Sequence, residues 1–337
     1  MREGVNKVAL RLFEHNEKAY HAAVRMMEQY GKAAIVHPTG TGKSYIAFKL
    51  IEDNPEKVVI WLSPSEYIFK TQLEGLKGNV PDFPLENVHF YTYAKLMCCA
   101  QAQLDEIAAQ KPAYIVLDEF HRAGAECWGE STVALLRLCP DAKLLGLTAT
   151  NVRYLDNNRD MAEELFDSCV ASDMTLGEAV VRGILPTPNY VTTVYQYQKT
   201  LAKYQARVDN LRTPGIQDAN QKYLDAPNTD KAFADFKMDT SDRLKLLFCI
   251  DMLNEGVHVE GISGVILFRP TISPIVYKQQ IGRALTAGDN TIPLILDVVN
   301  NFEGLTSISG LQSEMQEAVH RLYANGEGDK IVTERFE

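Results

Sequence analysis

Residues 37–44, His37-Pro38-Thr39-Gly40-Thr41-Gly42-Lys43-Ser44, constrain this chain more than any other stretch. The apolar run Ala33–Val36 leads in, and the helix-compatible run Tyr45–Ile51 leads out. Strand, glycine-containing turn, Gly-Lys-Ser and helix, in that order, make a cradle for the phosphates of a nucleotide. Backbone N–H groups point into the turn, and the helix N-terminus adds unpaired donors and a favourable dipole. Thr39, Gly40, Thr41, Gly42, Lys43 and Ser44 line the expected cradle. Lys43 reaches the β- and γ-phosphates, and the Ser44 hydroxyl ligates Mg²⁺. The usual first glycine of such a loop is replaced by His37.

The surrounding pattern predicts an α/β fold. Two short helices are expected within residues 6–30. Apolar β-type runs then occur at 33–36, 58–62, 88–93, 113–117 and 143–147. Helix-compatible segments separate them, at about 43–53, 66–77, 94–110 and 128–138. Short, continuously apolar strands between helices indicate a parallel sheet covered on both faces. Ligand chemistry in such a sheet sits at the carboxyl ends of the strands. The polar motifs fall there: residues 37–44, Ser63-Pro64-Ser65, Asp118-Glu119-Phe120-His121 and Thr148-Ala149-Thr150. A carboxylate ending a buried strand beside a phosphate loop is placed to hold Mg²⁺, which selects Asp118. The adjacent Glu119 is placed to polarise an attacking water.

Bulk properties narrow the class. The 337 residues suffice for two domains. The formal net charge of −10 argues mildly against a bulk electrostatic grip on nucleic acid, though not against a local basic groove. None of the six cysteines forms a Cys-x-x-Cys pair, so zinc is not expected and a reducing cytoplasm is. No signal-peptide core and no membrane-length apolar run occur, so no membrane partner is expected.

The second half is less regular. Helical patterning is expected to continue from about 160 to Arg182. Pro186 and Pro188 mark a hinge, giving expected domains at 1–185 and 186–337. Tyr190–Tyr195 reads as a strand and about 197–211 as a charged helix. Residues 216–243 are polar and weakly patterned. Strands are expected at Leu244–Ile250, Gly264–Phe268 and Ile292–Val299, and a helix at about 311–324.

Residues 37–44, Asp118-Glu119-Phe120-His121 and Thr148-Ala149-Thr150 resemble motifs I, II and III of the superfamily 2 helicases, the DEAD/DEAH-box group. The group includes the motor subunits of restriction enzymes. Leu253-Asn254-Glu255-Gly256-Val257-His258 resembles motif V, whose glycine, here Gly256, lets the backbone approach nucleotide or nucleic acid. Gln279-Gln280-Ile281-Gly282-Arg283-Ala284 resembles motif VI. The resemblance implies two RecA-like P-loop NTPase lobes with parallel sheets, and ATP and Mg²⁺ between them. Lys43, Glu119, Gln279 and Arg283 would be catalytic, with Arg283 a finger from the second lobe. His121, Thr148 and Thr150 would couple hydrolysis to lobe movement. Ser63, Pro64, Ser65 and Thr92 fall where motifs Ia and Ib contact a nucleic-acid backbone, and their hydroxyls suit helix N-caps equally well.

Three departures accompany the resemblance. Residues 12–20 stand where relatives read adenine with a glutamine, and they contain none. Thr286 replaces a second arginine common after the finger. Between Pro188 and Leu244 only one strand signal precedes motif V, so the second lobe is expected to be shortened. Larger relatives also carry C-terminal specificity domains beyond this length. The implied function is an ATP-dependent helicase or translocase acting on nucleic acid, DNA in preference to RNA. The alternatives are a nucleotide-binding adaptor with little hydrolysis, and a motor working with restriction or mobile-element subunits.

Overall fold

A computed structural model of the chain describes residues 9–123, 126–150, 152–153, 159–192, 262–268, 274–288, 292–299 and 306–335, with scattered positions from 236 to 247 and residue 271. Helix α1 (Glu14–Tyr30) buries Asn16, Ala19, Tyr20, Ala23 and Met27, a single face at helical spacing. It stops at Gly31, where φ is +75° and the N–H returns to the Met27 carbonyl. The chain then alternates through β1 (Lys32–Val36), α2 (Ser44–Asp53), β2 (Val59–Ser63), α3 (Glu66–Asn79), β3 (Val88–Thr92), α4 (Tyr93–Met97), α5 (Gln101–Ala109), β4 (Tyr114–Asp118), α6 (Glu126–Leu138) and β5 (Lys143–Thr148). An antiparallel pair β6 (Val152–Arg153) and β7 (Arg159–Asp160) follows, then α7 (Met161–Phe166), β8 (Val170–Asp173) and α8 (Leu176–Val181).

The first sheet has the order β3-β2-β4-β5-β1-β8, and every pairing is parallel. Successive strand residues point to opposite faces, which divides the core in two. Ala33, Ile35, Trp61, Val116, Leu145 and Leu147 pack with α1 and α2 on one side. Ala34, Val36, Ile60, Leu62, Ile115 and Leu117 pack with α4 to α7 on the other. Register sets the site: Val36 pairs with Thr148 and Asp118 with Leu147. The residues at the ends of β1, β2, β4 and β5 therefore emerge along one edge.

The second sheet is also parallel. Strands β9 (Asn189–Thr192), β10 (Gly264–Leu267) and β11 (Leu294–Asp297) lie in the order β10-β11-β9. Among the described residues, helices α9 (Pro274–Gly282) and α10 (Thr306–Ala324) accompany it. Its core joins Leu267, Tyr277, Ile281, Leu285 and Ile295 to Leu311, Met315 and Leu322 of α10. Helix α8 belongs to this second core through Leu176, Ala179, Val180 and Val181, although β8 just before it pairs with β1. Glu178 fixes the arrangement by pairing with Arg182 and with Arg321 of α10. The chain thus has two parallel α/β lobes, the RecA-like architecture that the motifs imply.

Several expected elements differ. Residues 9–30 hold one helix rather than two, because the Leu10 N–H is tied to Glu52 Oε1 on α2 and Phe13 is extended. The helix expected at 94–110 is broken into α4 and α5, since Ala100 is extended and its N–H is taken by the Gln103 side chain. The helical reading of 160–182 hides β8. Its sequence, Val-Ala-Ser-Asp, is too polar to announce a strand, and it is held by backbone pairing at a sheet edge. Residues 244–247 form no strand, and Leu244 is 86 % exposed. Residues 248–250, 193–195 and the helix expected at 197–211 lie outside the described residues.

Candidate functional site

The phosphate loop leaves β1 at His37, whose N–H continues the ladder to the Thr148 carbonyl. Gly40 and Gly42 adopt φ of +88° and +75°, conformations that glycine takes without strain. Thr41 is buried, and its hydroxyl donates to the Pro38 carbonyl at 2.8 Å. Asn16 pins the loop from α1: its amide donates to the carbonyls of Thr41 (2.8 Å) and Gly42 (3.2 Å). His15 Nε2 also lies 2.9 Å from the Thr41 carbonyl. Sequence reading missed Asn16. Its signal is a polar residue on an otherwise apolar helix face.

His37 is 1 % exposed, and its Nε2 lies 2.8 Å from Ser172 Oγ on β8. Burial, with the nearby positive charges of His15, Lys43 and Arg182, lowers its imidazole to about 3. It is therefore neutral near pH 7 and stands as a packing residue at the loop entrance.

The acidic residues meet the loop from β4. Lys43 Nζ lies 3.2 Å from Glu119 Oε1, and both side chains are nearly buried. Glu119 has φ +50°, an uncommon left-handed conformation for a residue with a side chain. The buried Tyr93 supports this turn by donating its hydroxyl to the Asp118 carbonyl at 2.9 Å. His121 Nδ1 lies 2.8 Å from Thr148 Oγ1, and the Thr148 hydroxyl donates to the Thr150 carbonyl at 2.7 Å. His121, Thr148, Thr150 and Glu119 therefore form one contact chain between the ends of β4 and β5.

The two carboxylates differ electrostatically. Burial, reinforced by the neighbouring Glu119 charge, pushes Asp118 above the usual carboxylate range. Burial acts the same way on Glu119, but Lys43 and His121 outweigh it and hold Glu119 below that range. Both are charged near pH 7, and as pH falls Asp118 takes up a proton before Glu119 does.

Gln72 of α3 was not legible as a site residue. Its Nε2 donates to Ser44 Oγ at 2.9 Å and to Asp118 Oδ2 at 3.0 Å. Two oxygens from distant parts of the chain thus converge on one point. That donor set fits Mg²⁺, a hard cation that takes oxygen ligands and keeps several waters beside substrate phosphates. Among the described residues no group of three His, Cys, Asp or Glu side chains could hold a metal, so phosphate and water would complete the shell.

The second lobe reaches the same loop. The Ala287 N–H donates to the Gly40 carbonyl at 2.9 Å. A Cβ on Gly282 would lie 3.4 Å from Thr39 Cβ. Arg283, between these contacts, is 7 % exposed, as is Gln279 one turn earlier on α9. Gly256 lies outside the described residues.

The residues expected to contact nucleic acid also make contacts within the fold. Ser63 is buried and its hydroxyl faces Asp118 Oδ2 at 3.4 Å. Ser65 caps α3 by accepting from the Ile68 N–H, and Thr92 caps α4 by accepting from the Lys95 N–H. Pro64 lies half-buried between them. Ser65 and Thr92 accept in these caps, and each hydroxyl keeps its O–H as a donor.

Comparison with known proteins finds two family matches. The helicase conserved C-terminal domain matches residues 190–288, and the type III restriction enzyme res subunit matches residues 82–153. A 51.5 kDa protein of a Lactococcus phage (isolate 7-9) is 23 % identical, in an alignment covering 80 % of this chain and 66 % of that protein. Among solved structures, the ATP-dependent Type ISP restriction-modification enzyme LlaBIII bound to DNA superposes with a TM-score of 0.61 at 13 % identity. That superposition covers 92 % of this chain and 30 % of the enzyme. The chain therefore spans about two thirds of the phage relative and under a third of the restriction enzyme.

Proposed function

We propose that this chain, a superfamily 2 helicase-like protein related to restriction-enzyme motor subunits, hydrolyses ATP between its lobes and uses the cycle to move along or open nucleic acid. One observation carries the reading. The phosphate loop, Asp118, Glu119 and the turn after α9 converge, with Lys43 on Glu119 and Ala287 on Gly40.

In this reading the loop N–H groups and Lys43 bind the β- and γ-phosphates. Ser44 and Asp118 would hold Mg²⁺, which neutralises phosphate charge when bound. Glu119 orients the attacking water and accepts its proton. Arg283 stabilises charge on the transferring phosphoryl group from the opposite lobe. The His121–Thr148–Thr150 chain passes the change at Glu119 to the rest of the first lobe. DNA is the proposed track, and a larger assembly with restriction or mobile-element subunits is the proposed setting.

The test is the ATPase rate of the purified chain without nucleic acid, with single-stranded DNA and with RNA, beside Lys43→Ala. Stimulation by nucleic acid, lost in Lys43→Ala, is the expected outcome. ATP binding with no turnover above that variant would instead identify a nucleotide-binding adaptor.

A further inference from the structure

Gln72 stands between the two side chains that would hold a cation. Its Nε2 lies 2.9 Å from Ser44 Oγ and 3.0 Å from Asp118 Oδ2. Its Oε1 is buried and accepts no hydrogen bond among the described residues. The carboxylate sets this orientation, because the reverse would press Oε1 against Asp118. The amide hydrogens thus present positive charge to the same two oxygens that a cation would bridge. An NH₂ group and Mg²⁺ cannot share that point, since Mg²⁺ needs its oxygens at about 2.0–2.1 Å. Withdrawal of the amide from both oxygens would open that point to the cation.

We propose that Gln72 is a positioning residue that latches Ser44 to Asp118 and yields to Mg²⁺, so that it sets how strongly nucleotide binding depends on Mg²⁺. The inference rests on the nucleotide site proposed above and adds a regulator to it. Without the latch, Asp118 loses a partner only in the cation-free form, so cation binding gains.

The test is titration of the full chain with a fluorescent ADP analogue, in Mg²⁺ and in EDTA. Gln72→Met should increase the Mg²⁺ enhancement of affinity by about 3–10-fold over wild type, the range expected for one net hydrogen bond. Affinity in EDTA should stay within about twofold on the same basis. Gln72→Glu, which adds a carboxylate, should also increase the enhancement, and Mg²⁺ alone should raise its melting temperature more than that of wild type. It decides the matter if Gln72→Met does not fold. An unchanged or smaller enhancement in the folded variants overturns the latch, and a purely structural Gln72 would lower melting temperature equally with and without Mg²⁺. A wild-type chain that binds no analogue, like Lys43→Ala, would instead reject the nucleotide site itself.

Discussion

Arg283→Ala is expected to lower the ATP turnover number by about 10³-fold or more, the scale of an arginine finger in phosphoryl transfer. Nucleotide affinity should change only a few-fold. The split follows from position. Arg283 is buried at the end of α9, immediately after Gly282, whose missing side chain lets it approach Thr39. In the proposed site a charge there would meet the γ-phosphoryl group, where negative charge spreads in the transition state. With Thr286 in place of the second arginine of many relatives, the proposed role would rest on Arg283. Turnover and equilibrium binding, measured on one preparation, separate the outcomes. Equal losses in both would make Arg283 a ground-state binder, and a loss in neither would remove it from the site.

Gly40→Ala is expected to cost turnover at least about 10²-fold, the penalty associated with misplacing catalytic groups by an ångström. An added Cβ would lie 1.9 Å from the Leu285 carbonyl oxygen, which is backbone and cannot rotate away. The φ of +88° adds strain independent of the clash. Either the phosphate loop deforms or the second lobe withdraws, and either would move the turn carrying Arg283 relative to the loop. Gly31→Ala is the control. Its φ is also positive, but nothing lies within 4 Å of the added carbon. It should cost about 1 kcal/mol of stability for the backbone alone and leave turnover intact. Turnover of the two variants, with melting curves for each, distinguishes lobe displacement from general weakening.

The parts of the site legible in sequence are those whose chemistry is written in consecutive residues. The phosphate loop, Asp118-Glu119 and Thr148–Thr150 each end a continuously apolar strand, and register brings them to one edge. Strand β8 was hidden because an edge strand held by backbone pairing needs no apolar run. Gln72 was hidden because its meaning arises from Ser44 and Asp118 meeting it across the fold. Asn16 lay within a stretch expected to face the base, yet it holds the loop carbonyls. The hydroxyls of Ser65 and Thr92, which suit a nucleic-acid backbone and a helix N-cap equally well, do cap helices, since a free N–H at a helix start is the nearest partner. The sequence pattern around Pro188–Leu244 offered little periodicity, while the helicase C-terminal match runs through it from residue 190.

Apposition of the second lobe on the phosphate loop is tested most directly by cross-linking Thr39→Cys to Gly282→Cys. The Cβ positions lie 3.4 Å apart, close to the roughly 3.5–4.5 Å that a disulfide spans. Mild oxidation should give an intrachain disulfide in the double variant, seen as a faster band on a non-reducing gel. Neither single variant should show it, which controls for the six native cysteines. A double variant that cross-links no more than the single ones would mean that the turn carrying Arg283 does not rest on the loop, and the two-lobed site would be contradicted.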